Sequence, residues 1–216
     1  MTSDITLAKG PIGSIWINFK EIDSTNEKAH SLAHEGFREG TVITADRQTK
    51  GRGRRGKSWH SPEGGLYCSI ILKPNIRTKD TPLFERMAGI AVCETIANLV
   101  PQKPEIKAPN DILIGGKKVA GILIEAKGRE QRPAYLITGI GINCWGDLDS
   151  FPSCLKIQVT TLSHEAGHLI TPSETLDVLL KFMNKWYNIF LSGKTVRISD
   201  YWEKFLMEGP SCPVCS

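Results

Sequence analysis

Apolar and polar residues alternate through Ile15, Ile17 and Phe19, the period-two pattern of a strand with one buried face. Ser24-Thr25-Asn26-Glu27 follows, and its Ser-x-x-Glu spacing predicts a capping box that opens a helix closed near Gly36. Gly40 to Gln48 reads as a second strand, and Leu66, Cys68, Ile70 and Leu72 alternate along a third that stops at Pro74. Thr81-Pro82 sets proline in the first turn of a helix whose apolar face carries Leu83, Met87 and Ile90. Beyond Pro104, Ile112-Leu113-Ile114, Gly115-Gly116 and Lys117 to Ala126 predict a hairpin, because a Gly-Gly pair supplies positive φ at both turn positions. Residues 134–143 form another strand, rich in Ile and Gly. Thr171-Pro172-Ser173-Glu174 is a second capping box, ahead of Leu176, Leu179, Leu180, Met183 and Phe190 at helical period. Strands far outnumber the crossovers a parallel sheet needs. The expected class is α+β, a mixed, largely antiparallel sheet backed by helices.

Composition adds bounds to this picture. The 216 residues suffice for one domain with a sizeable core plus a short appendage. No apolar run approaches the roughly 18–20 residues that span a bilayer, and the N-terminus lacks a basic region followed by an apolar core, so a cytoplasmic protein away from membranes is expected. Cys68, Cys93 and Cys144 sit in apolar segments, where a thiol behaves as a small hydrophobe, and read as reduced core residues.

The net charge of +4 is carried by one stretch, Lys50-Gly51-Arg52-Gly53-Arg54-Arg55-Gly56-Lys57-Ser58-Trp59. Glycines there let backbone N–H groups approach an anion, and arginine presents planar donors that match phosphate oxygens. Alone, the run fits a nucleic-acid tract, a solvated charge run or a nucleotide-phosphate loop. The near-balanced charge elsewhere does not demand bulk nucleic-acid binding, and the aromatic platforms of single-strand binders are missing.

Four segments then fall in order: Ser24-Thr25-Asn26; Gln48 with Gly51 to Trp59; Lys107-Ala108-Pro109-Asn110-Asp111 with Lys118-Val119-Ala120-Gly121-Ile122-Leu123; and Gly139-Ile140-Gly141-Ile142-Asn143. Together they closely resemble the catalytic domain of bacterial biotin protein ligases, from about Ile22 to about Gly193, including Thr160-Thr161-Leu162-Ser163. The resemblance implies the biotin/lipoate ligase fold, similar to class II aminoacyl-tRNA synthetases, over residues 1–198, with a C-terminal helix and tail at 199–216. It implies ATP-dependent formation of biotinyl-5'-adenylate and transfer of biotin to a lysine of the biotin carboxyl carrier protein of acetyl-CoA carboxylase, with Mg2+. Lipoate ligation, or a truncated biotin-binding member with weak transfer, is the alternative. A homodimer is left open.

By the same resemblance, Ser24, Thr25 and Gln48 face biotin's ureido end, and Asn26, Gly51, Arg52, Lys118 and Gly121 complete the biotin site. Arg52, Arg54, Arg55, Lys57, Trp59, Asn110, Lys118 and Asn143 are assigned to ATP and the adenylate. Lys118, Arg54 and Asp111 are assigned to catalysis, and Asp111 to the metal or triphosphate side. A helix cap is the plain alternative for Ser24 and Thr25, a solvated hairpin position for Lys117 or Lys118, a turn for Asn110-Asp111, and core filling for Trp59. Two positions depart from the family: Lys57 stands where arginine is usual, and Ala108 where tryptophan is. Family members normally continue into an SH3-like barrel, and repressor-type members begin with a helix-turn-helix. Both are expected to be absent between Met1 and Ser216, and DNA regulation with them.

Two other signals compete weakly. His164-Glu165-Ala166-Gly167-His168 fits the zinc pattern H-E-x-x-H, but Gly167 weakens the helix that must present both histidines. Cys212-Pro213-Val214-Cys215 is a lone C-x-x-C, read as a tail.

Overall fold

The computed structural model describes residues 11–129, 131–148, 151 and 158–207. Strands β1 (Ile15–Ile22), β2 (Thr41–Gln48), β3 (Gly65–Leu72), β4 (Pro104–Lys107), β5 (Asp111–Ile114), β6 (Lys117–Arg129) and β7 (Arg132–Asn143) form one sheet in the order β1-β2-β3-β7-β6-β5-β4. Helix α1 (Thr25–His34) carries the chain from β1 to its parallel neighbour β2, a pairing no tight hairpin can make. Every other pairing is antiparallel, so the mixed sheet read from the sequence is the sheet observed.

Alternation divides the sheet into two unequal faces. Leu66, Cys68, Ile70 and Leu72 of β3, with Ile140 and Ile142 of β7, point into the main core beneath α2 (Thr81–Leu99), α4 (Pro172–Leu191) and α5 (Thr195–Phe205). Burial pushes the Cys68 thiol up to about 12 and that of Cys144 to about 11, so both stay protonated, as their apolar surroundings led one to expect. On the opposite face Ile43, Ile71 and Ile137 form a smaller cluster with Ala29, Leu32 and Ala33 of α1, against which Ile17, Phe19, Phe37 and Tyr135 pack. That smaller cluster stops where β3, β6 and β7 turn polar or glycine-rich, and the uncovered stretch becomes a cleft.

Gly115 and Gly116 adopt φ 54° and 78°, the left-handed turn expected between β5 and β6. Thr171 accepts from the Glu174 N–H at 3.2 Å with Pro172 at the first turn, so the Thr171 half of the predicted capping box caps α4. The Ser24 capping box does not form. Ser24 occupies the N-cap in extended backbone, but its side chain makes no cap hydrogen bond. The Glu27 carboxylate pairs with Arg52, so a tertiary partner has taken the acid of the local motif, and the neighbouring Thr25 N–H donates to Gln48 Oε1 at 2.8 Å.

The short strand β4 was not legible as an element, and helix α3 (Leu162–Ala166) stands where the family resemblance alone implied a surface helix. Residue 199 falls inside α5, whose Ile198 and Trp202 enter the main core. No helix among the described residues is long and apolar enough to cross a membrane.

Candidate active site

Strand register builds the cleft floor. Tyr67, Gly141, Gly121 and Asp111 lie side by side across β3, β7, β6 and β5, and Ser69, Gly139 and Leu123 form the next row. In Gly139-Ile140-Gly141-Ile142 the isoleucines therefore fill the core while the glycines leave the other face bare. Trp59 occupies the space so created. A Cβ on Gly141 would lie 2.7 Å from its indole, and one on Gly121 2.8 Å. Above this floor opens a cleft of about 290 Å³.

One end of the cleft is neutral and rich in hydrogen bonds. Ser24, Thr25, Asn26 and Gln48 line it, all but Gln48 buried. Gln48 Oε1 accepts the Thr25 N–H at 2.8 Å and lies 3.1 Å from Thr25 Oγ1, and Gln48 Nε2 donates to Ser61 Oγ at 2.9 Å. Ser69 Oγ lies 2.8 Å from Thr25 Oγ1 and 2.6 Å from Asn26 Oδ1.

The other end is cationic. Arg54, Arg55, Lys57 and Lys118 line it with Asn110 and Asp111. Lys118 Nζ sits 2.7 Å from Asp111 Oδ1 and 5.0 Å from the centroid of the Trp59 ring. Of the two neighbouring lysines, Lys117 is exposed and outside the cleft, whereas Lys118 is half-buried within it. Asn110 donates to the Ile122 carbonyl at 3.0 Å and ties the β4–β5 turn to β6. Arg55, at φ 54° and ψ 39°, is the left-handed non-glycine residue among those described, at the crest of the loop. Such strain is stored where neighbours enforce it, often at functional loops.

Two assigned residues stand apart from the lining. Gly51 is buried beneath the loop, where a Cβ would lie 2.4 Å from Ser61 Oγ and 2.5 Å from the Trp59 carbonyl. Asn143 is buried and donates to the Thr160 carbonyl at 3.1 Å, stitching the end of β7 to the segment after it. The histidine pair does not share a helix face, since α3 ends at Gly167 with φ 75° and His168 lies beyond. Cys212 and Cys215 lie outside the described residues.

The sequence reading missed a cluster at the edge of the neutral end. Glu125 accepts from Arg52 at 3.0 Å through Oε1 and from Asn26 Nδ2 at 2.8 Å through Oε2, with His30 Nε2 3.5 Å away. Arg52 also pairs with Glu27. The available signal was faint: Glu125 follows Gly121 and Leu123 at period two, which puts a carboxylate on the cleft face of an apolar strand.

The His30 ring contributes most to holding the Glu125 carboxyl down at about 2, helped by the Asn26 hydrogen bond and the Arg52 charge, while partial burial opposes them. A carboxyl lowered on folding adds stability above its unfolded value and loses it as pH falls through the folded one. Melting temperature should therefore fall between about pH 4.5 and 2, and Glu125→Gln should flatten that part of the acid limb. An unchanged acid limb in the variant would count against the coupling.

Comparison with known proteins now bears on this geometry. Residues 18–143 match the biotin/lipoate A/B protein ligase family. The chain belongs to that family. Among its relatives, the bifunctional ligase/repressor BirA of Bacillus spizizenii is 40% identical over 187 residues, covering 86% of this chain and 58% of its own. The biotin–[acetyl-CoA-carboxylase] ligase of Paracoccus denitrificans is 32% identical over 169 residues, covering 76% and 69%. The chain thus spans little more than half the length of the BirA relative. The structure of the biotin protein ligase from Aquifex aeolicus in complex with biotin and ATP superposes with a TM-score of 0.78 at 32% identity, over 90% of this chain and 79% of that one. The fold of the biotin/lipoate ligase family is therefore the fold of this protein.

Proposed function

We propose that this protein is an ATP-dependent biotin protein ligase that forms biotinyl-5'-adenylate and transfers biotin to a lysine of a biotin carboxyl carrier protein. The observation that carries the reading is the polarity of the cleft. A neutral, hydrogen-bonding end built from Thr25, Asn26 and Gln48 faces a cationic end built from Arg54, Arg55, Lys57 and Lys118. A urea head offers donors and acceptors to the first, and a carboxylate about to meet a nucleotide phosphate belongs in the second. The names of the relatives above support the same substrates.

In the first step a biotin carboxylate oxygen attacks the α-phosphorus of ATP, the bond to the bridging oxygen breaks, and pyrophosphate leaves. Lys118 offers its ammonium where negative charge gathers on both reacting groups, and Arg54 and Arg55 close over the phosphate. Asp111 and the Trp59 ring hold Lys118 in place at 2.7 Å and 5.0 Å. In the second step a carrier lysine amine attacks the acyl carbon of the mixed anhydride, loses a proton and expels AMP.

Among the described residues no group of three or more His, Cys, Asp or Glu side chains could hold a metal ion. Asp111 fits as a single oxygen donor to an ion brought by the nucleotide, since Mg2+ keeps waters and substrate phosphates in its shell. Such an ion would neutralise the departing pyrophosphate. Lys118 and the arginine loop carry the remaining charge.

The test is ATP–pyrophosphate exchange with biotin against lipoate, followed by transfer to a biotin carboxyl carrier domain. Exchange that depends on lipoate and ignores biotin would overturn the substrate assignment. A second expectation follows from the loop, whose Arg54 and Arg55 line the cleft where the adenylate phosphate would sit and would be covered when it binds. Tryptic cleavage after Arg54 and Arg55 should be suppressed by biotin plus ATP, and equal cleavage with and without them would exclude closure over the ligand.

A further inference from the structure

We infer that Glu125 is the positioning residue of the basic loop: its carboxylate joins the Arg52 guanidinium to the Asn26 amide and so anchors the loop on α1 and β6. The inference deepens the function proposed above, on which its kinetic arm rests. Under it Arg52 is an anchor, and contact with the phosphate falls to Arg54, Arg55, Lys57 and Lys118.

Glu125 is well placed for this work. Its side chain is 20% exposed against 41% for Arg52 and 59% for Glu27, so the deeper carboxylate provides the firmer hold. A pair between the two exposed groups alone would be worth little. An ionised carboxylate only accepts, and its two oxygens are divided between Arg52 at 3.0 Å and Asn26 Nδ2 at 2.8 Å. That division fixes the Asn26 amide, whose Oδ1 is left to take the Ser69 hydroxyl at 2.6 Å.

From there the bonding is continuous. The Thr25 hydroxyl meets Ser69 Oγ at 2.8 Å, the Thr25 N–H donates to Gln48 Oε1, Gln48 Nε2 donates to Ser61 Oγ, and Ser61 Oγ donates to the Trp59 carbonyl at 3.0 Å. Both ends of the loop, Arg52 and Trp59, are thereby tied to the neutral end of the cleft, so that loop position and ureido-site geometry become one structure. Gly139 is needed for the same reason, because a Cβ there would lie 2.2 Å from Asn26 Oδ1. The tyrosine and histidine nearby complete the enclosure, with His30 Nδ1 3.4 Å from the Tyr135 hydroxyl.

Hydrogen–deuterium exchange on the full chain without ligands tests the anchor, comparing wild type, Glu125→Gln, Arg52→Gln and the double variant. Loss of a hydrogen bond to a charged group should speed exchange of the amides of residues 51–58 by about tenfold in each single variant. The double variant should exchange no faster than Arg52→Gln, while β3 and β7 keep wild-type protection. Wild-type loop exchange in Glu125→Gln, or a double variant showing the product of the two single effects, overturns the assignment. Should Glu125→Gln loosen β3 and β7 too, Arg52→Gln decides alone: it leaves the Glu125–Asn26 bond in place, so wild-type loop exchange in that variant also overturns the anchor. In pyrophosphate exchange Glu125→Gln should raise the KM for biotin by about tenfold. A lowered kcat with KM unchanged would place Glu125 in the chemistry and refute a positioning role. If wild type shows no biotin-dependent exchange the proposed function fails, and loop protection still decides the role of Glu125.

Discussion

Lys118→Ala is expected to lower biotin-dependent ATP–pyrophosphate exchange by about 10²–10³-fold, roughly 2.7–4 kcal/mol of transition-state stabilisation. The magnitude follows from the kind of group removed, a fixed cation aimed at a spot where charge develops only as carboxylate and α-phosphate react. Stability should change little. Lys118 and Asp111 are 29% and 32% exposed, so the carboxylate released by the substitution remains hydrated and no buried charge is stranded. Biotin affinity should also largely survive, because the neutral end of the cleft does not depend on Lys118. Exchange near the wild-type rate in a folded Lys118→Ala protein, with biotin affinity measured by calorimetry beside it, would remove Lys118 from the chemistry.

Gly141→Val should be comparably damaging by another route. A Cβ at residue 141 would stand 2.7–2.9 Å from three atoms of the Trp59 indole, a rigid ring that also lies against Gly121. The ring must leave its seat, and the ammonium of Lys118, held 5.0 Å from its centroid, loses one of its two supports. Overpacking of this kind costs typically about 1–3 kcal/mol of stability. The displaced tryptophan should add a loss of at least about 10²-fold in exchange rate, of the order seen when reacting groups are misplaced by about an ångström. A lowered melting temperature together with altered tryptophan fluorescence and near-abolished exchange is the expected set. Wild-type exchange in this variant would mean that the glycine floor serves packing alone.

These two substitutions also show how legibility in the sequence divides. Lys118 was readable because it sits in a motif whose frame, Lys118-Val119-Ala120-Gly121, distinguishes it from Lys117. Gly141 was readable only as part of a motif, since nothing local says that its missing side chain is the seat of an indole some eighty residues earlier. Glu125 was missed because a single acid near the end of an apolar strand looks like an ordinary solvated position. Only the register of β6 against β7 and the arrival of α1 bring Arg52, Asn26 and His30 around it. The Ser24 capping box was expected and did not form: the Ser24 side chain makes no cap bond, and the acid the box needs, Glu27, pairs with Arg52 from the basic loop.

What the sequence determined by itself was whatever depends on neighbours within a few residues. Period-two alternation placed the strands, Gly115-Gly116 placed their turn, Thr171-Pro172 started α4, and the basic loop announced an anion. What the tertiary structure alone decided was which of those pieces share a cleft. Hydrogen-bond register aligned Gly121, Gly139 and Gly141 on one face, the crossover through α1 set Thr25 and Asn26 above them, and Arg52 took the Glu27 carboxylate that the local motif needed. The reason is physical: a backbone pattern is fixed by sterics and burial over a few residues, whereas a polar side chain takes its partner from whatever the folded chain brings within about 3 Å.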